Sequence, residues 1–149
     1  MSVTKKLENS FKNTLEENCS RRCIRMTEQR KLIARILEES EDHPDVEELY
    51  NRSVAFNSNI SISTVYRTLK LFESAGVIER HDFGDGRSRY ELIPARHHDH
   101  LIDIKSRKVI EFHSPEIEAL QEKIAKDNGF SLVGHRLELY GISISNKKR

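Results

Sequence analysis

Four consecutive residues, His97, His98, Asp99 and His100, carry side chains that bind metal ions, and they run directly into the apolar segment LIDI. Imidazole and carboxylate without thiolate suit Fe(II), Mn(II), Zn(II) or Co(II) and do not select among them. The segment reads as a strand, in which successive side chains point to opposite faces. His97 and Asp99 then project one way, His98 and His100 the other. Four adjacent ligands therefore cannot converge on one ion; they form two pairs, each needing partners from elsewhere. His43, Glu91, Glu111, Glu118 and His135 are the scattered donors able to supply them. Taken singly, Glu111, Glu118 or His43 would more often be a surface residue or a cap. A site drawing on His43, Glu91 and the C-terminal strands would bridge two domains. His81 and His113 have no evident partner in the sequence and read as structural.

The elements that must carry these residues follow from hydrophobic period. After a polar, partly helical arm to about residue 20, MTEQRKLIARILEES places Leu32, Ile33, Ile36 and Leu37 on one helical face, with Thr27 as N-cap. DHPDVEELYNRS has Asp45 followed three residues later by Glu48, a capping-box spacing. In SISTVYRTLKLFESAG, Ile62, Val65, Leu69 and Phe72 recur at helical spacing, Ser61 or Ser63 caps the start, and Gly76 ends it. Two extended runs joined by GDG then predict a hairpin. Three helices followed by a hairpin make a winged helix-turn-helix. The remainder predicts a small α/β unit: a hairpin over HLIDI and VIEF, a helix opened by Ser114 and Pro115 and closed by Gly129, and a last strand over HRLELYGISI that His135 begins. The expected fold is α+β, with a winged-helix domain over 1–92, a hinge over 93–96 and a dimerisation and metal-binding domain over 97–149. About 50 residues are marginal for an independent core, so a homodimer is expected.

On the third helix the apolar stripe leaves Tyr66, Arg67 and Lys70 outside the core. Arginine forks onto guanine edges, lysine reaches phosphates, and tyrosine packs on thymine methyls or the sugar-phosphate backbone. Arg80, Arg87 and Arg89 on the hairpin are placed to reach adjacent phosphates. The net charge of +1 over 149 residues argues no general attraction to polyanions. Charge is segregated, however: six basic residues stand against Glu28 alone between Arg21 and Arg35, and seven acids without Lys or Arg lie between Glu38 and Glu48. No apolar run reaches membrane-spanning length and no signal-peptide core is present, so a cytoplasmic protein is expected. Cys19 and Cys23 are too few for an all-cysteine zinc site and read as ordinary thiols.

MTEQR, HPDVEELY, ISISTVYRTLKLFESAGVI, YEL, HHDHLIDIKSRKVIEF and HRLELYG together resemble the ferric uptake regulator family, over roughly residues 22 to 142. The resemblance implies a dimeric, metal-activated bacterial transcription regulator. It implies a sensory site of His43, Glu91, His98, His100 and Glu111 at the domain joint, and a second site of His97, Asp99, Glu118 and His135. Tyr66 and Arg67 match the family's base-contacting pair, and Arg25 the basic position near the minor groove. Many members hold a structural zinc with paired CxxC motifs; here Asp103 and Ser106 occupy the first pair and Ser143 lies near the second. This resembles the iron- and manganese-responsive branch that lacks those cysteines, and stands against zinc-uptake regulators. Peroxide sensors carry aspartate where this chain has Glu91 and Glu111. Cys23 stands where a glycine is common.

The expected function is repression of iron or manganese uptake genes from an AT-rich palindromic operator, with Fe(II) or Mn(II) as cofactor and Zn(II) able to substitute. Two rivals are a His/carboxylate metalloenzyme and a metal buffer that does not bind DNA. No nucleophile motif or phosphate loop supports the first, and the Tyr66–Arg67 helix stands against the second.

Overall fold

The computed structural model describes residues 14–93 and 97–144. The chain divides into two compact units, Met1–Ile93 and Pro94–Arg149. Of the expected hinge over 93–96, only Ile93 falls within the described residues. No helix among them is long and apolar enough to cross a membrane.

The N-terminal unit runs α1 (Leu15–Arg21), α2 (Glu28–Glu39), α3 (Val46–Val54), α4 (Ile62–Ser74), β1 (Ile78–Asp82) and β2 (Ser88–Leu92). Side-chain caps set the helix starts. Thr27 accepts from Arg30 N, Asp45 and Glu48 form a reciprocal capping box, and Ser61 accepts from Thr64 N. Ile33, Ile36, Leu37, Leu49, Val65, Leu69 and Phe72 meet in one core. Two expectations need correction. Ile62 is exposed while Thr68 is buried, so the stripe of α4 begins at Val65. The polar arm also contributes to the core, because α1 buries Leu15 and Cys19 there. β1 and β2 pair antiparallel, Asp82 opposite Ser88 and Glu79 opposite Glu91, around a turn in which Gly84 and Gly86 take positive φ. Tyr90 N donates to Pro44 O at 3.0 Å, which draws the loop before α3 against the wing.

The C-terminal unit runs β3 (Asp99–Asp103), β4 (Val109–Phe112), α5 (Pro115–Asp127) and β5 (Glu138–Gly141). β3 is the central strand, antiparallel to β4 and parallel to β5. The last strand is shorter than HRLELYGISI suggests, and His135 lies in the loop before it. Ser114 caps α5 with Pro115 at its first turn. α5 buries none of its residues, and Leu120, Ile124, Ile110, Leu139 and Tyr140 are exposed. Within a single chain this unit has little apolar interior.

Candidate metal centres and nucleic-acid face

The odd-numbered half of HHDH finds its partners within the C-terminal unit. His97 Nε2 lies 3.1 Å from Asp99 Oδ1, His135 Nε2 3.0 Å from the same oxygen, and the two Nε2 atoms are 2.9 Å apart. Glu118 Oε1, from the first turns of α5, stands 3.5 Å from His135 Nε2 and 3.7 Å from His97 Nε2. Asp99 is 1% exposed, and its Oδ2 is buried without accepting a hydrogen bond among the described residues. Such an oxygen loses its water without gaining a donor, at a cost of about 1–3 kcal/mol.

A divalent ion with bonds of about 2.1 Å separates neighbouring ligands by about 3.0 Å at right angles and about 3.4 Å in a tetrahedron. The five separations here, from 2.9 to 3.7 Å, fall around those values. Two imidazoles and two carboxylates, one with a buried oxygen lacking a donor, therefore fit a divalent cation.

The even-numbered half projects to the other side of β3. The His98 and His100 rings lie edge to face with centroids 4.8 Å apart, and His98 Nε2 is 3.6 Å from Glu111 Oε1. β-pairing places Glu111 directly across from His100. This group offers two imidazoles and one carboxylate.

In the N-terminal unit, His43 Nε2 lies 2.8 Å from Glu91 Oε2. The His43 loop is framed by two contacts. Arg52 forks onto Asp42 with bonds of 2.9 and 2.6 Å, and the Asp45 capping box follows. The Arg52 bond holds the Asp42 carboxyl below its ordinary range and lifts the guanidinium in turn. His81, read from sequence as structural, is engaged here: its Nε2 lies 2.6 Å from Glu91 Oε1. The signal that could have found it was hairpin register. Counting outward from GDG sets Glu79 opposite Glu91 and puts His81 two residues along the same face.

The cysteines hold no part of these groups: among the described residues, no cluster of potential ligands contains one. Cys19 is buried, which pushes its thiol pKa up. Cys23 is exposed with φ of +61°, and Ile24 N and Cys23 N donate to Cys19 O and Ser20 O. That is a Schellman turn closing α1, and its left-handed residue is where glycine is favoured. Asp103 and Ser106 also have a role of their own. Asp103 Oδ1 accepts from Lys105 N at 2.9 Å and Oδ2 from Ser106 Oγ at 2.9 Å, and Lys108 N donates to Ser106 Oγ at 3.2 Å. Hydrogen bonds close the β3–β4 turn at positions where a thiolate pair would bring a metal. The Lys105 amide, foremost, and the Ser106 hydroxyl hold the Asp103 carboxyl below its usual pKa.

On α4, Tyr66 is 55% exposed, and Arg67 and Lys70 are exposed beside it. They line one wall of a cleft of about 830 Å³ whose other wall is the wing, with Arg80 and Arg87. The wing cations are less available than their sequence suggests. Arg80 pairs with Glu73 at 3.5 Å, Arg87 with Asp45 at 3.1 Å, and the well-covered Arg89 with Asp85 at 2.7 Å. Arg25 is exposed near the start of α2.

Residues 21–140 match the sequence profile of the Ferric uptake regulator family. The chain belongs to that family. It is 70% identical over 134 residues to the ferric uptake regulation protein of Rhizobium leguminosarum bv. viciae, covering 90% of this chain and 94% of that protein. It is 52% identical over 125 residues to the ferric uptake regulation protein of Brucella abortus biovar 1 (strain 9-941), covering 84% and 89%. The structure of a zinc-bound manganese uptake regulator is 70% identical, with a TM-score of 0.78, covering 89% of this chain and all of that one. The chain is accordingly a transcriptional regulator of the metal-responsive class and not an enzyme. Ferric uptake regulators are DNA-binding dimers.

Proposed function

We propose that this ferric uptake regulator represses iron or manganese uptake genes by binding an AT-rich palindromic operator when a divalent ion joins its two units. It belongs, on this reading, to the iron- and manganese-responsive branch without the structural zinc. The observation that carries the proposal is the division of HHDH. One half completes a four-donor group inside the C-terminal unit, which leaves His98, His100 and Glu111 on the other face of that unit, and His43 with Glu91 in the N-terminal unit, as two partial donor sets. A bound divalent ion supplies positive charge and fixed ligand angles to those two sets. His43 and Glu91 bind from one unit and His98, His100 and Glu111 from the other.

Joining the units fixes the spacing of the paired α4 helices in a dimer, and Tyr66 and Arg67 then enter successive major-groove half-sites while Lys70 and Arg25 hold the backbone. To move such an equilibrium from 1:99 to 99:1, binding must favour the joined state by about 5.5 kcal/mol. Metal and operator each strengthen the other's binding, because coupling is reciprocal. The group of His97, Asp99, Glu118 and His135 is architectural: it ties α5, which buries no side chain of its own, to the central strand. Nitrogen and oxygen donors accept iron, manganese and zinc alike, in keeping with relatives at equal identity named for iron and for manganese.

Fluorescence anisotropy on palindromic AT-rich DNA, with and without Mn(II), Fe(II) or Zn(II), tests the switch. Affinity rises with metal in the wild type and loses that rise in His98→Ala; equal affinity with and without metal refutes the switch.

A further inference from the structure

The His81 side chain belongs to none of the donor sets assigned above, yet it is one of the most deliberately placed in the wing. It is buried, and its ring lies parallel to that of Phe83, centroids 5.4 Å apart and planes 9° from parallel. Phe83 is itself buried and meets His43 edge-on at 6.4 Å. Stacking fixes the plane of the imidazole, so its Nε2 is aimed at Glu91 Oε1, 2.6 Å away. The other oxygen of Glu91 faces His43 Nε2 at 2.8 Å. Both side chains are at most a tenth exposed, so water competes weakly for either oxygen.

We propose that His81 is a positioning residue for metal binding, holding Glu91 Oε1 so that only Oε2 is offered as a ligand. The proposal rests on the joint site of the preceding subsection. A carboxylate with one oxygen held by an N–H binds a cation through a single oxygen, whereas a free carboxylate can close a four-membered chelate. His81 thereby sets both the aim of Glu91 and the number of bonds it contributes, which govern affinity and coordination number. Loss of a group that orients a ligand typically weakens metal binding 10- to 100-fold.

Co(II) titration of the full-length dimer, followed by visible absorption, tests this with four proteins: wild type, His43→Ala, His81→Ala and His81→Gln. His43→Ala is expected to lose one equivalent. His81→Ala is expected to keep every equivalent, weaken one by about tenfold or more, and change its absorption band as the coordination number changes. His81→Gln, whose amide still donates, is expected to restore the wild-type band and most of the affinity. If His43→Ala retains all equivalents, the joint site itself fails. If His43→Ala behaves as stated but His81→Ala matches wild type in affinity and band, the His81 proposal alone fails. Complete loss of an equivalent in His81→Ala overturns it too, since His81 would then be a ligand. So does His81→Gln behaving as His81→Ala. DNA binding at saturating Co(II) reports whether the wing is intact. If His81→Ala loses it, His81→Leu, which keeps apolar contact with Phe83, replaces it in the comparison.

Discussion

Asp99→Asn isolates the proposed architectural site, because it changes charge while keeping shape and an acceptor for the His135 N–H. Asp99 Oδ1 lies within 3.1 Å of both His97 and His135, and its Oδ2 is buried without a donor among the described residues. In metal-free protein the substitution replaces one acceptor by another, and a typical hydrogen bond is worth about 1 kcal/mol net, so stability should change by no more than about that. With metal the expectation differs sharply. A ligand that binds only the native state stabilises it by RT ln(1 + [L]/Kd), about 2.7 kcal/mol at a hundredfold excess over Kd. For a chain of this size, at roughly 2–4 °C per kcal/mol, that is an upward shift of about 5–11 °C in Tm. The measurement is a pair of thermal melts, in chelator and in Mn(II), at fixed protein concentration. A His98→Ala background removes any contribution of the proposed sensory site. The Mn(II)-induced shift should be present with Asp99 intact and largely lost in Asp99→Asn. An equal shift in both would mean that these four donors do not bind the ion, and that their spacing is the result of hydrogen bonding alone.

Cys23→Gly should stabilise the protein by about 0.5–1 kcal/mol, seen as a raised urea midpoint. It relieves a left-handed residue costing about 1–2 kcal/mol against glycine's extra chain entropy of about 0.5–1 kcal/mol; a lowered midpoint would contradict the strain at φ +61°. Asp103→Asn should destabilise at neutral pH, with the gap closing in acid. The Asp103 carboxyl is lowered in the fold, so its contribution is present above the ordinary value of about 3.9 and is lost as pH falls through the folded value. Urea midpoints at pH 7 and pH 3 measure the closure, and a gap equal at both would count against it. Arg67→Ala should cost about 1–3 kcal/mol of operator affinity and relax discrimination at one base position, whereas Lys70→Ala should weaken all sequences alike and reduce the salt slope by about one. Anisotropy across a salt series separates the two, and a base-specific effect of Lys70→Ala would reverse their assignment.

What could be read from sequence tracks the range of the interaction. Thr27, Asp45 with Glu48, Ser61 and Ser114 cap helices through bonds spanning three residues, so the local pattern carried them. The alternation of HHDH was likewise local. Arg87 with Asp45, 42 residues apart, was beyond any local pattern, which is why Arg87 read as free to meet phosphate, whereas the pairing of Arg89 with Asp85 is local and could have been found. The burial of Leu15 and Cys19 depends on α1 packing against a core built later in the chain. His81 falls between these cases: its link to Glu91 crosses a single hairpin, but finding it required a register that only the GDG turn supplies. Alternation divided the HHDH donors, but it did not say that Glu118 and His135 would join the odd half; the family motif did.

The placement of Asp99 and His100 on β3, with His97 and His98 immediately before it, has a physical logic beyond the alternation of HHDH. β3 is hydrogen-bonded on both edges, to β4 and to β5, and Ile102 anchors it from within. A central strand cannot slip by one residue without exchanging its two faces, and such a slip would swap the His97/Asp99 pair for the His98/His100 pair. The same pleat also keeps the two groups apart, so a donor lost from one face leaves the other face's donors in position. On the function proposed above, a sensory group and an architectural group can therefore share one backbone. Their independence can be measured: His97→Ala should leave the metal concentration for half-maximal operator binding nearly unchanged while the dimer is intact, and His98→Ala should not.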